Sequence, residues 1–388
     1  MDVDDVLAEI LLRLPPLPSA LPQASLVCTR WRRLVTDPDF LRRFRAHHWK
    51  PLGVFLTSFP SGREDFSFSF ISDPGDSIRH ESFSMPPVRA GDDDYTWVFL
   101  GCRHGRVLLI SRTRHGYGHG RQMLVWNPVA GEHYLLHVPH FLLDRHWSSV
   151  QGAVICASSH NHKGPFKVVL VWNGSHSVHA CVYSSETGEW GDVSTAVQRE
   201  SGLIAESGFI VVGFWNVLVG NSLYWLLFGI GGQLHILEFD LDSQDLAVTE
   251  VRLPPDVYAK HRGLYLTTLS NGGGLTLVVM SANLRAQLWE RTPDFDGTAR
   301  WMLGGTIELD KLLSLRPWFP ECRAILGVQG DDNVMIVSTY RGVFMVHLES
   351  MQFEKIFEAN PFSDGGTIHP FTTLYAPGKS LLRCSGAF

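Results

Sequence analysis

Apolar positions in the first fifty residues recur at helical spacing, whereas after about Lys50 they come in short unbroken runs separated by Gly, Asn and Asp. From Asp4 to Leu14 the residues Val6, Leu7, Ile10, Leu11 and Leu14 fall on one helical face, with Asp2, Asp4 and Asp5 at the positive end of the helix dipole and Arg13 near the other end. Pro15 and Pro16 stop this helix, because proline lacks the backbone N–H that a further turn needs. Ser19 is the expected N-cap of a second helix running to about Cys28, and Thr29 to Val35 followed by Asp37 to about Arg45 is read as a third helical stretch. Leu21, Ala24, Leu26, Val27, Trp31, Leu34, Phe40, Leu41 and Phe44 supply the apolar faces. So small a unit buries little surface, which predicts that it leans on a partner or on the rest of the chain.

The remaining 338 residues repeat. Turn-plus-apolar units begin at Gly53, Gly105, Gly164, Asn221, Gly274 and Asn333, separated by 52, 59, 57, 53 and 59 residues. A second landmark, a strand entering a polar turn, starts at Leu124, Cys181, Leu237, Leu288 and Val346, separated by 57, 56, 51 and 58 residues. Two landmarks sharing one period, with about four strand-like runs in each unit, predict an all-β propeller of about six blades. The late run HPFTTLYAP is expected to return to the first blade and close the ring, which removes exposed strand edges.

Composition agrees: 11% aromatic and only 19% charged residues, with 36 Gly and 21 Pro, favour short strands and turns over long charged helices. Ser207 to Leu234 carries no Asp, Glu, Lys or Arg and is long enough for a membrane span. Asn216, Asn221 and Ser222 interrupt it and Gly220-Asn221 divides it as a turn would, so two buried strands are expected instead. Six scattered cysteines without a C-x-x-C pair fit a reducing compartment, and the acidic start is unlike a signal peptide; cytosol or nucleus is the expectation.

Catalytic signals are weak. His104, His115 and His119 near GYGHG, and His160 with His162, lack the carboxylate-flanked pairing of a metal site, and no metal or other cofactor is expected. GYGHG and GIGG match neither phosphate-loop pattern, and no nucleophile elbow is present. Arg30 to Lys50 holds seven Lys or Arg against Asp37 and Asp39; an acidic protein partner or a solvated helix face accounts for that better than nucleic acid, since no aromatic stacking motif accompanies it. Trp126, Trp172, Trp190, Trp225, Trp289 and Trp301 fall in or beside the repeat landmarks, where inter-blade packing is the expectation. Ligand contact is expected from loop residues Arg112, Arg114, His115, Tyr117, His119, His140 and Trp147.

The strings DDVLAEILLRLP and ASLVCTRWRRLVTDPDFLRRF resemble an F-box, although Asp2 and Val3 stand where that motif usually has Leu-Pro. WNP-x-x-GE and YSS-x-TGEW are similar to units of the F-box-associated domains common in plant F-box proteins. The resemblance implies a multidomain α+β chain: a three-helix F-box over 1–46 and a propeller-like recognition domain over 50–388. It further implies a non-catalytic substrate receptor of an SCF-type ubiquitin ligase, docked on a Skp-type adaptor and through it a cullin scaffold. Val6, Leu7, Ile10, Leu11, Leu14, Pro15, Leu26, Val27, Trp31, Leu34 and Phe40 would make the adaptor contact. A propeller enzyme, carbohydrate-active or oxidising, and a scaffold without ligase function are the rival readings.

Overall fold

The computed structural model describes residues 3–15, 20–48, 51–58, 67–71, 83–88, 95–113, 119–142, 150–156, 164–174, 177–197, 209–211, 216–229, 233–255, 257, 261–268, 274–281, 284–293, 299–315, 325–329, 333–362 and 366–372. Ser19 and Pro16 lie outside these residues. Four helices open the chain: α1 (Val3–Leu12), α2 (Ala20–Val27), α3 (Thr29–Thr36) and α4 (Pro38–His47). The first ends two residues earlier than its apolar pattern, and Arg13 and Leu14 close it with tighter bonds to the carbonyls of Ile10 and Leu11, at 3.1 and 3.2 Å.

The expected third helical stretch is two helices. Pro38 has no N–H and pushes the residue before it out of the helical region, so Asp37 is extended at φ −66°, ψ 128°. Its carboxylate then accepts the N–H groups of Asp39 (2.9 Å) and Phe40 (3.0 Å), capping α4 with Pro38 in the first turn. The helices fill their own core with Ala8, Leu11, Leu12, Leu21, Ala24, Val35, Phe40, Leu41 and Phe44.

Six antiparallel sheets follow. The first holds β1 (Gly53–Ser58) and β2 (Ser67–Ile71); the second β3 (Tyr95–Arg103), β4 (Arg106–Thr113), β5 (His119–Asn127) and β6 (Glu132–His137). The third has β7 (Val150–Cys156), β8 (Phe166–Asn173), β9 (Ser177–Ser184), β10 (Glu189–Trp190) and β11 (Ser194–Val197). In the fourth are β12 (Phe209–Val211), β13 (Val217–Val219), β14 (Ser222–Gly229), β15 (Leu234–Asp240) and β16 (Leu246–Glu250). The fifth comprises β17 (His261–Thr268), β18 (Leu275–Ser281), β19 (Arg285–Pro293) and β20 (Ala299–Glu308). A four-residue helix, α5 (Leu309–Leu312), leads to the sixth, β21 (Ile325–Gln329), β22 (Val334–Thr339), β23 (Gly342–His347) and β24 (Phe353–Phe357). The last strand, β25 (Gly366–Phe371), returns to pair with β1 and joins the first sheet.

These sheets are six propeller blades, and β25 is the ring closure. His369, Pro370 and Phe371 of the HPFTTLYAP run form its end, and the run from Thr373 on lies outside the described residues. Each first landmark opens the second strand of a blade and each second landmark lies on the third, which is why both keep one period. Second strands are apolar without alternation because neighbouring blades cover both faces; β22 is buried at every residue, whereas the outer strand β6 is mostly exposed. Six apolar clusters fill the six gaps between adjacent blades, and Trp126, Trp172, Trp225 and Trp289 sit in four of them. Gly220-Asn221 turns between β13 and β14, so within the uncharged stretch the described residues form β12, β13 and β14, three strands rather than two. No described helix is long and apolar enough to cross a membrane.

The turn after the third strand repeats in chemistry as well as position. Asn127, Ser184, Asp240 and His347 each accept a backbone N–H from two or three residues ahead, at 3.1, 3.3, 2.9 and 3.1 Å for Ala130, Glu186, Asp242 and Ser350. Four residues beyond each, the backbone is left-handed, at Gly131 (φ 67°), Gly188 (φ 76°), Gln244 (φ 58°) and Met351 (φ 54°).

Candidate functional site

Helix α1 divides its apolar residues between two tasks. Leu11 is wholly buried in the core shared by the four helices, while Val6 and Ile10, one helical turn apart, stand exposed at 42% and 53%. At the end of α2, Leu26 and Val27 are exposed as well, the latter at 61%. The ion pair of Arg30 with Asp4 ties the start of α3 to the start of α1. Arg33 also reaches Asp4 (3.1 Å) and Arg43 pairs with Glu9, so part of the positive charge between Arg30 and Lys50 is met by acids of α1. At the other end His48 Nε2 lies 2.8 Å from the carbonyl oxygen of Leu12, and burial pushes its imidazole below the ordinary pKa.

The expected contact residues therefore fall into three groups. Val6, Ile10, Leu26, Val27 and Pro15 are exposed. Leu7, Leu14, Trp31 and Leu34 are half-buried, packed on the helical core with part of each side chain outward. Leu11 and Phe40 are corrected: at 0% and 4% exposure they belong to the interior, since the stripe on α1 is wide enough to feed the helical core and still leave an exposed edge, and Phe40 of α4 packs into that same core.

On the propeller, Arg112 is also corrected. It is not a loop residue but lies in β4, in register with Thr96 and His119, and is buried at 5% exposure. His119 begins β5, and His140 is exposed on a short 3-10 turn (His140–Leu142) after β6. Arg114, His115, Tyr117 and Trp147 lie outside the described residues, as do His160 and His162. Among the described residues no group of three or more His, Cys, Asp or Glu is placed to hold a metal ion.

Sequence reasoning missed the buried arginines. Arg106 sits over the Phe166 ring, 4.8 Å from its centre, and donates to Cys156 Sγ (3.1 Å) and the Gly164 carbonyl (3.0 Å), tying the second blade to the third. Arg103 donates to the Asn216 carbonyl at 2.9 Å while Asn216 Nδ2 donates to the Gly152 carbonyl at 3.1 Å, so three blades are linked through one asparagine. Burial raises the Cys156 thiol above its ordinary pKa, against the neighbouring Arg106, which leaves it a poor nucleophile.

Comparison with known proteins separates the two parts of the chain. The F-box domain model matches residues 3–43, and the model described as "F-box protein AT5G49610-like, beta-propeller" matches residues 98–378. No curated protein matches the chain. Similar solved structures include a periplasmic gluconolactonase of Pseudomonas aeruginosa, at 14% identity over 56% of this chain and 68% of that one, with a TM-score of 0.30. A protein from Lactobacillus plantarum is 10% identical over 82% of this chain and 99% of its own, at a TM-score of 0.39. The Aleuria aurantia lectin, in complex with a fucosyl sugar, is 11% identical over 82% and 88%, at 0.33. With helices over the F-box match, and with blades two to six and the ring-closing β25 over the longer one, the chain belongs to the AT5G49610-like β-propeller family of F-box proteins.

Proposed function

We propose that this chain is the substrate-receptor subunit of an SCF-type ubiquitin ligase, docking on a Skp-type adaptor through its helices and presenting a target protein on its propeller. One observation carries the reading: the helical unit fills its own core and still leaves Val6, Ile10, Leu26 and Val27 in water. Each is about half exposed and gains on the order of 1 kcal/mol when a partner covers it, so four of them on one small helical unit supply the centre of an interface. The half-buried Leu7, Leu14, Trp31 and Leu34 would border that contact. Cullin association follows through the adaptor, and the cytosol or nucleus is where such a complex would work.

The ring of blades serves as a rigid frame for target binding, and His140, exposed on the turn between blades two and three, is placed to take part in it. Rate enhancement comes from holding a target beside a ubiquitin-charged enzyme, and the chain supplies no catalytic group of its own. The test is co-purification with the adaptor. Ile10→Asp combined with Val27→Asp should abolish it while the β-sheet circular dichroism and melting of the propeller stay unchanged. Adaptor binding retained by that double variant would defeat the reading.

A further inference from the structure

Of 33 basic residues only seven are lysine and 26 are arginine, in a chain where lysine would ordinarily be among the common residues. None stands before Lys50, between residues 51 and 162, or between 168 and 259, so α1 to α4, the second blade and the fourth blade carry no lysine. Arginine is present there at exposed positions, including Arg43 on α4 and Arg252 just after β16, paired with Glu9 and Glu250. A surface ion pair of this kind contributes little, and the ammonium of lysine also makes one. What distinguishes the two residues is chemistry: the lysine amine is a ubiquitin acceptor, while the guanidinium is always protonated and not nucleophilic.

We propose that the arginine-rich surface protects this receptor from ubiquitin transfer by its own complex, with Lys311 as the principal acceptor among the described residues; the proposal rests on the ligase reading above. Three lysines are described. Lys167 is half-buried in β8, and Lys355 in β24 is 34% exposed and paired with Glu358. Lys311, on α5 between the fifth and sixth blades, is 71% exposed, with only a surface pair to Glu308. Its deprotonated amine would attack the thioester carbonyl of a ubiquitin-charged conjugating enzyme. The new N–C isopeptide bond replaces the C–S bond, the thiolate leaves, and the amine proton passes to solvent.

The experiment uses the full chain with the Skp-type adaptor, cullin–RING scaffold, activating and conjugating enzymes and ubiquitin, with conjugated lysines mapped after digestion. Lys311→Arg should lower conjugation on the described lysines roughly two- to threefold, the other acceptors competing for the same charged enzyme. Arg252→Lys and Arg300→Lys, which keep the charge at exposed sites, should each raise total self-conjugation roughly twofold by adding a nucleophile. If the adaptor complex forms and the added lysines are neither modified nor raise conjugation, arginine usage is only compositional and the proposal fails while the ligase reading stands. Modification of the added lysines with Lys311→Arg unchanged overturns the acceptor assignment, and a chain that does not bind the adaptor overturns both readings.

Discussion

Gly327 on the inner strand of the last blade lies directly against the carbonyl oxygen of Ile368 on the ring-closing strand, so close that a Cβ at position 327 would overlap that oxygen. The neighbour is backbone, held by the pairing of β25 with β1, and cannot turn aside as a side chain would. Gly327→Ala should therefore part the first and sixth blades and cost about 1–3 kcal/mol. Urea denaturation followed by tryptophan fluorescence measures this, and a loss within error would show that the ring tolerates a wider gap.

The repeated turn predicts a gain. Met351 holds a left-handed backbone where the equivalent turns of blades two and three use Gly131 and Gly188, and a side chain in that conformation costs about 1 kcal/mol. Because Met351 lies at the surface, Met351→Gly should stabilise the chain by about 0.5–1 kcal/mol. Gly188→Val, the reverse exchange with a β-branched side chain, should cost about 1–2 kcal/mol. Thermal melts of the two variants ought to move in opposite directions.

Acid should loosen the closure. His369 is buried in β25, with Nε2 2.8 Å from Thr367 Oγ1 and its ring 4.5 Å from Phe99, and burial pushes its pKa from 6.5 to about 3. The unfolded chain takes up this proton below about pH 6.5 while the folded chain resists it, so stability is whole above that pH and drains away as pH falls toward 3. His369→Gln removes the difference. Melting temperature plotted from pH 7.5 to 4.5 should fall less steeply for the variant; parallel slopes would refute the assignment.

Neighbouring leucine and isoleucine on α1 should behave in opposite ways. Leu11→Ala empties a site in the helical core and should cost about 2–5 kcal/mol of helical-unit stability. Ile10→Ala, one residue away but exposed, should leave melting within about 0.5 kcal/mol while weakening adaptor binding. Hydrogen exchange on α1 to α4 reads the first effect and titration with the adaptor the second.

Much of this architecture is legible along the chain because it depends on local rules. Helical spacing around Leu11, proline stops, and a period shared by two landmarks separate helices from strands and count the blades before any contact is known. Other features depend on what packs where. A stripe of apolar residues on α1 does not say which of Ile10 and Leu11 faces its own core, since the angle between them is settled only when α2 and α4 dock. Arg112 looks solvated by its chemistry, yet it lies in a strand covered on both faces by neighbouring blades. The break between α3 and α4 was written in Asp37-Pro38 and could have been read there. Sequence alone thus determined the kinds and order of elements, through spacing and backbone chemistry. Tertiary packing alone decided which apolar side chains remain free for a partner, because burial is a property of two surfaces and not of one residue.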